Sequence, residues 1–203
     1  MLEDHTPIPF DQALTAIGGA VSRTSRHQHP IVAIGGPVAS GKTTLARSLT
    51  QDGRGVMLST DDYLPDYHQV PEAERDNPKH ADLELLARHL LVLAQDRPVT
   101  DAPIWSFHTH ARDGSKRLDP APLVVVEGIY ALQPPIRDEA DLRVFIDAPR
   151  EARWARWERL ELDGTRGWGV EKAKRFFDTV AEPSFDRFRD QYRDAADLVV
   201  TNP

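Results

Sequence analysis

The chain has 203 residues, with 32 acidic and 25 basic side chains, a formal net charge of -7 and no cysteine. This length suffices for one domain with an ordinary core. The missing cysteines exclude disulfides, thiolate metal sites and a cysteine nucleophile, and the acidic balance argues against nucleic acid as a partner. Residues 1–10 lack the regions of a signal peptide, and no apolar run is long enough to span a membrane. We therefore expect one cytoplasmic domain over residues 1–203 that binds no membrane, with homo-oligomerisation left open.

The first predicted element is a helix over residues 10–26, within a leading segment of residues 1–30. Leu14, Ile17 and Val21 recur there at helical spacing. The pattern then changes to short, continuous apolar runs, which are typical of buried parallel strands. Five such runs are predicted as strands, at residues 31–34, 56–58, 123–126, 142–146 and 198–200.

Helical stretches alternate with these strands. They are predicted at residues 43–49, 82–95, 149–162 and 171–193. Pro149 suits the first position of its helix, whereas Pro183 is expected to break the last one. The alternation predicts an α/β fold with a doubly wound parallel sheet covered on both faces. Ligands bind such sheets at the carboxyl ends of the strands, so functional residues are expected there.

A phosphate-binding loop follows the first of these strands. The pattern G-x-x-x-x-G-K-[ST] is matched at every fixed position, and the predicted ATP-binding residues are Gly36, Pro37, Val38, Ala39, Ser40, Gly41, Lys42, Thr43 and Thr44. Its glycines let backbone N–H groups turn towards phosphates at a helix N-terminus. Lys42 supplies a cation for the β and γ oxygens, and the Thr43 hydroxyl suits Mg²⁺. The alternative is a plain glycine turn with a solvated lysine.

Two acidic positions stand at the ends of later strands. Asp61 and Asp62 follow the run at 56–58, where a carboxylate beside the phosphates could accept the proton of an attacking hydroxyl. A solvated turn or helix cap is the alternative for this pair. Glu127 ends the run at 123–126 and must be paired, near a metal or in reach of solvent. The guanine-reading pattern N-K-x-D of GTPases is not found.

From residue 31 to residue 200 the chain resembles the uridine kinase and phosphoribulokinase family of P-loop kinases. Besides the P-loop, the resemblance is carried in family order by residues 58–63, 76–78 with Asp82, 103–112, 126–130 and 196–200. It implies a P-loop NTPase-type sheet, ATP and Mg²⁺ as cofactors, and phosphoryl transfer to a small-molecule hydroxyl acceptor.

The resemblance also assigns residues. It implies that Asp61, rather than Asp62, is the base, and that Glu127 lies near Mg²⁺, which it would hold with Thr43 directly or through water. The implied acceptor-binding positions are Asp76, Trp105, His110 and Arg112. Trp105-Ser106 stands where uridine kinases usually have Tyr-Asp, and this departure is a reason to keep other acceptors than pyrimidine nucleosides as alternatives. His108 and His110 are weak as a zinc pair, and we favour polar contacts to substrate.

One segment of this chain is basic although the net charge of the whole chain is negative. Residues 150–175 carry a net charge of +3. We predict a small helical, arginine-bearing lid at about residues 150–175, which presents Arg153, Arg156 and Arg166 to the transferring phosphoryl group. A solvated helix face is the alternative. Family lids usually carry Arg-Gly-Arg, whereas here Arg166-Gly167 is followed by Trp168.

Together these features predict an ATP-dependent kinase that phosphorylates a primary hydroxyl, most simply of a nucleoside such as uridine or cytidine. A kinase for another acceptor, such as nicotinamide riboside, a sugar or pantothenate, is the first alternative. A second, of another class, is an ATP-binding regulator or ATPase that transfers nothing to an acceptor. Acceptor-dependent ADP formation distinguishes them.

Overall fold

The computed structural model describes residues 6–203, so the sequence expectations for residues 1–5 lie outside the described residues. The described chain forms eight strands: β1 Ile8–Pro9, β2 Ile31–Gly35, β3 Val56–Ser59, β4 Val99–Ser106, β5 Ala111–Leu118, β6 Val124–Gly128, β7 Leu142–Asp147 and β8 Leu198–Thr201. Six of them build one sheet in the order β1-β8-β7-β2-β6-β3, and every neighbouring pair is parallel. Strands β4 and β5 form a separate antiparallel hairpin.

Eight α-helices occur over the same residues: α1 Ala13–Thr24, α2 Lys42–Thr50, α3 Leu83–Ala94, α4 Ile136–Glu139, α5 Arg150–Leu162, α6 Val170–Phe176, α7 Glu182–Asp186 and α8 Arg189–Ala195. Alternate residues of β2 point to opposite faces of the sheet. Ile31 and Ala33 pack in the cluster that contains the buried leucines of α3, and Val32 and Ile34 pack with residues of α1 and α2. Because both faces are covered by helices, the predicted doubly wound α/β fold is confirmed.

The five strands predicted from apolar runs are all present. Sequence reasoning missed β1, which has only two residues, and the hairpin of β4 and β5. Strand β5 reads Ala-Arg-Asp-Gly-Ser-Lys-Arg-Leu and is mostly exposed, so it has no apolar run that would reveal it. Its pairing with β4 makes it a strand, and this pairing is a tertiary contact that composition does not show.

The predicted helices are confirmed with two corrections. Pro149 precedes α5 as its cap residue, with Arg150 as the first helical residue. Pro183 does not break the last helical stretch, because α6, a π-helical turn at Phe177–Ala181 and α7 follow one another without interruption. An ordinary α-helix would need a backbone N–H at residue 183, which proline lacks. The π turn changes the hydrogen-bond pattern immediately before Pro183. The stretch is interrupted instead after Asp186, before α8 begins at Arg189.

The segment predicted as a lid lies beside the phosphate-binding loop. Trp157 of α5 packs with Phe176 and Phe177 in a small apolar cluster, against which Val38 and Ala39 of the loop also pack. This cluster brings α5 and α6 next to the carboxyl ends of the central strands. The region where ligands bind in such sheets is therefore covered on one side by the arginine-bearing segment.

Candidate active site

The predicted phosphate loop connects β2 to α2. Gly36 and Gly41 have φ angles of 152° and 104°, a region that side chains disfavour. A Cβ at Gly41 would lie 2.5 Å from Asn202 Nδ2 and 3.2 Å from Phe10. Ser40 Oγ is buried and finds no hydrogen-bond partner within residues 6–203. A tight glycine loop at a helix N-terminus, with a buried hydroxyl that has no hydrogen-bond partner in the described chain, fits a phosphate group.

Lys42 is buried beneath this loop, and its Nζ donates a hydrogen bond to the carbonyl oxygen of Pro37 at 2.7 Å. Burial lowers the pKa of Lys42 to about 8, against the opposing effect of the Glu127 and Asp61 carboxylates. The ammonium group is thus held by the loop and faces two acidic groups across the cleft.

Glu127 stands on β6, beside Ser59 of β3 and Ile34 of β2. Its side chain is buried, and the Thr43 hydroxyl donates to its Oε2 at 3.2 Å. Burial raises the pKa of Glu127, and the nearby Asp61 carboxylate raises it further. The structure brings together two oxygen groups of the kind that Mg²⁺ prefers, which were also the two predicted metal-binding residues.

Asp61 lies in a 3₁₀ turn, Thr60–Tyr63, directly after β3. Burial raises the pKa of Asp61, whereas the charges of Arg166 and Lys42 oppose that rise. Asp62, the alternative base, also lines the cleft, but its carboxylate already has two partners. Its carboxylate accepts a hydrogen bond from the Trp105 backbone N–H at 3.2 Å and pairs with Lys116 Nζ at 2.7 Å.

The predicted acceptor residues fall into two groups. Asp76, Trp105 and His110 line the same cleft of about 570 Å³ that contains Lys42 and Asp61. Arg112 does not line it: its side chain is about half exposed and lies 3.8 Å from Asp82. In this structure Arg112 on β5 faces this half-exposed carboxylate, and its acceptor-binding role stays a prediction.

Asp76 accepts a hydrogen bond from the Tyr67 hydroxyl at 3.3 Å, and burial, with the Asp61 charge, raises the pKa of Asp76 to about 7. His110 has a φ of 55° and stacks on Trp168, with ring centres 4.8 Å apart and planes 14° apart. Trp105 meets the Tyr67 ring edge-on at 5.0 Å. One end of the cleft is thus a partly buried carboxylate, Asp76, close to aromatic rings.

The three predicted lid arginines differ in their surroundings. Arg166 and Arg156 line the cleft. The guanidinium carbon of Arg166 lies 3.9 Å from the centre of the Phe107 ring, and no carboxylate of residues 6–203 forms an ion pair with it. Arg156 donates to the carbonyl oxygens of Ala39 at 3.4 Å and Pro203 at 2.6 Å.

Arg153 is a correction. It is only 1% exposed and forms a bidentate ion pair with Glu182, with N–O distances of 2.5 and 2.6 Å. Its Nε also donates to the Ala148 carbonyl oxygen at 3.0 Å. Since its donors are occupied by the protein interior, Arg153 is not presented to a phosphoryl group as expected.

Sequence reasoning missed three residues of this region: Tyr67, Phe107 and Glu161. Phe107 lies inside a segment that carried the family resemblance, so its motif was a usable signal. Tyr67 and Glu161 had none, because a tyrosine in a loop and a glutamate on a charged helix are ordinary features.

Three features define a P-loop kinase. They are a phosphate loop after the central strand, a buried carboxylate at the end of a neighbouring strand, and an arginine-bearing segment that covers both. Two solved structures share the fold. One, described as a candidate fructose transport system kinase from Silicibacter sp. TM1040, has a TM-score of 0.69 at 18% identity and covers 94% of this chain and 97% of its own. The other, described as a possible uridine kinase from Bacillus stearothermophilus, has a TM-score of 0.66 at 16% identity, with 94% and 98% covered.

Residues 31–202 match the phosphoribulokinase/uridine kinase family, and the chain belongs to this family. A relative from Shewanella piezotolerans that carries the name uridine kinase is 34% identical over 186 residues, covering 84% of this chain and 86% of the relative. The protein is therefore an ATP-dependent small-molecule kinase. No helix of residues 6–203 combines the length and the apolar character needed to cross a membrane.

Proposed function

We propose that this kinase transfers the γ-phosphoryl group of ATP to a primary hydroxyl of a nucleoside such as uridine or cytidine. One observation carries the proposal: the phosphate loop and an aromatic, carboxylate-bearing acceptor region line one cleft, with Asp61 electrostatically coupled to Lys42, Glu127 and Asp76. The relatives named uridine kinase support the same acceptor class.

The buried hydroxyl of Ser40, the loop glycines and Lys42 suit a triphosphate, and the oxygens of Thr43 and Glu127 suit Mg²⁺, directly or through water. In the proposed reaction ATP supplies the phosphoryl group and Mg²⁺ offsets its negative charge. Lys42 and the loop amides hold the phosphates, after Lys42 exchanges the Pro37 carbonyl for a phosphate oxygen.

Asp61 acts as the base in this proposal. Its carboxylate accepts the proton of the attacking hydroxyl, and a pKa raised by burial makes it a better proton acceptor than an exposed aspartate. Arg166, which has no carboxylate partner in the described chain, is the guanidinium available to offset charge on the transferring group. Arg156 serves the side of the cleft next to Ala39.

Asp76 is the group proposed to bind acceptor hydroxyls, with Tyr67 holding it by a hydrogen bond. A ribose offers two adjacent hydroxyls to such a carboxylate, and a flat base suits the walls formed by Trp105, Phe107 and His110. Burial, and after it the Asp61 charge, raise the pKa of Asp76 more than the Tyr67 hydrogen bond and the charges of Arg166 and Arg75 lower it, and hydroxyl donors from an acceptor would stabilise the charged carboxylate further.

One observation favours a second candidate, a kinase for an acceptor without a flat base. Trp168 stacks directly on His110, so a ring of the protein itself occupies one face of the aromatic wall. A sugar or another polyol would need no stacking surface.

The deciding experiment is a coupled assay of ADP formation with MgATP and a panel of acceptors: pyrimidine and purine nucleosides, nicotinamide riboside, pantothenate and sugars. The proposal expects ADP formation that depends on a nucleoside, with the phosphorylated product identified by mass spectrometry. Turnover with a sugar or pantothenate alone would replace the nucleoside by the second candidate. ADP formation that no acceptor of the panel increases would contradict both candidates.

The remaining expectations stay predictions. They are a single kinase domain over residues 1–203, a cytoplasmic location and the absence of nucleic acid partners. Whether the protein forms a homo-oligomer is a question for sedimentation of the purified protein.

A further inference from the structure

Glu161 lies in the last turn of α5, and its side chain is buried although it is a carboxylate on a highly charged helix. Three N–H groups surround it. Its Oε1 accepts a hydrogen bond from Trp157 Nε1 at 3.0 Å, and its Oε2 accepts from the backbone N–H groups of Trp168 at 3.1 Å and Gly169 at 2.9 Å. A buried carboxylate that accepts only from N–H groups forms strong, directional bonds.

These bonds fix the loop that carries Arg166. The Arg166 N–H itself donates to the Leu160 carbonyl oxygen at 3.1 Å, so the loop is tied to the end of α5 both at Arg166 and just after Gly167. Gly164 and Gly169 have φ angles of 76° and 75°, which gives the loop little resistance to rearrangement without such ties.

The same loop contacts the acceptor hairpin through two side chains. Arg166 lies against the Phe107 ring, and Trp168 stacks on His110. Phe107 and His110 both belong to the turn between β4 and β5. Leu160 and Glu161 hold the backbone of Arg166 and Trp168 by hydrogen bonds. These two loop residues therefore set the position of the loop relative to the hairpin.

We propose that Glu161 is a positioning residue of this kinase: its carboxylate holds the loop at residues 163–169 so that Arg166 faces the cleft and Trp168 meets the acceptor hairpin. The effect on catalysis rests on the proposed phosphoryl transfer, in which Arg166 offsets charge. The anchoring of the loop does not depend on that function and can be measured without it.

The substitution Glu161→Gln tests the hydrogen bonds at nearly constant volume. A carboxamide has one oxygen and one NH₂ group, so in either orientation its NH₂ faces an N–H donor: Trp157 Nε1 on one side or the two backbone groups on the other. Trp157→Phe removes the indole donor, and the carboxamide oxygen can then serve both backbone groups. The loss of loop anchoring caused by E161Q should therefore be smaller in the W157F background than in the wild type.

The first readout is the rate at which trypsin cuts the folded protein between Arg166 and Gly167, followed by mass spectrometry. We expect E161Q to be cut at least about tenfold faster than the wild type. The carboxamide NH₂ and the N–H donor that it faces are buried without an acceptor, which favours opening of the loop. E161Q/W157F should be cut at nearly the rate of W157F. Glu158→Gln, on the same helix but outside this network, is the matched control and should match the wild type. Thermal unfolding of each variant shows that the cut species is folded.

The second readout is transfer to the best acceptor. We expect kcat of E161Q to fall by about tenfold or more with little change in the KM for ATP, since a small displacement of a charged group costs mostly transition-state stabilisation. The W157F background should again reduce this loss. The proposal is overturned if trypsin cuts E161Q after Arg166 at the wild-type rate. It is also overturned if E161Q changes the cutting rate and kcat by the same factor in the wild type and in the W157F background. Failure to find any acceptor removes only the proposed function, because the trypsin comparison still decides the role of Glu161.

Discussion

Arg153 and Glu182 form a buried, bidentate ion pair that joins the first turn of α5 to the first residue of α7. The pair connects the helix that leads to the Arg166 loop with the helical stretch beyond the π turn. The guanidinium also lies 5.6 Å from the Phe177 ring, inside the apolar cluster of this region. An arginine expected to contact phosphate instead holds two helices together.

Glu182→Ala should therefore destabilise the protein strongly, because it leaves the Arg153 cation buried without its carboxylate. We expect the free energy of unfolding to fall by about 3–5 kcal/mol, measured by urea denaturation. Asp119→Ala, which removes an exposed ion pair with Arg117, is the control and should change little. Equal effects of the two substitutions would contradict a structural role for the buried pair.

Asp61→Asn should remove the base while preserving the shape of the cleft. We expect kcat for acceptor phosphorylation to fall by about 10²- to 10⁴-fold, with a much smaller effect on the KM for ATP, in steady-state assays. Asp52→Asn is the control, because Asp52 is exposed and its φ of 58° is one that asparagine tolerates. A D61N enzyme with the wild-type rate would remove Asp61 from the mechanism.

The free energy of unfolding should depend on pH through Asp76. Its pKa rises from 3.8 to about 7 in the folded protein, so between these values the folded state retains a proton that the unfolded state loses. Stability from this group is complete below pH 3.8 and is lost as the pH rises towards 7. Urea denaturation of wild type and Asp76→Asn across this range should show a steeper decline in the wild type than in the variant, in which Asp61 and Glu127 still titrate with raised pKa values. A difference between them that is constant with pH would contradict the raised pKa.

Gly41→Ala should weaken ATP binding, because the added Cβ would meet Asn202 and Phe10 in the phosphate loop. We expect the Kd for ATP to rise by about tenfold or more, since strain in a sparsely populated backbone region is of order 1–3 kcal/mol and steric displacement adds to it. Gly114→Ala is a matched control: its φ of 93° is also positive, but an added Cβ there meets nothing within 4 Å. It should retain the wild-type Kd, measured by calorimetry. Equal Kd values for all three proteins would show that the loop accommodates a side chain.

Much of the framework was predictable from sequence because it depends on local patterns. Continuous apolar runs such as Ile31 to Ile34 mark strands buried on both faces, and the spacing of Gly36, Gly41 and Lys42 marks a phosphate loop. Asp61 and Glu127 could be picked out as candidate site residues for the same reason. They directly follow or end such runs, and parallel topology places the ends of those strands at one edge of the sheet.

The tertiary structure alone decided which charged side chains face the cleft. Arg153, Arg156 and Arg159 repeat at equal spacing on one helix, yet Arg153 is buried against Glu182 whereas Arg156 lines the cleft. Helical periodicity indicates which residues share a face of α5. It does not indicate that Glu182 of α7, which is distant in sequence, pairs with Arg153 on that face. The same holds for Arg112, whose direction is set by the hairpin, and for Glu161, whose three N–H partners are assembled only when the loop folds back on α5. Sequence patterns thus sufficed to predict five of the six strands of the parallel sheet, the phosphate loop and the kinase family. The roles of the arginines and buried carboxylates were decided by folding, because burial and pairing depend on contacts between distant segments.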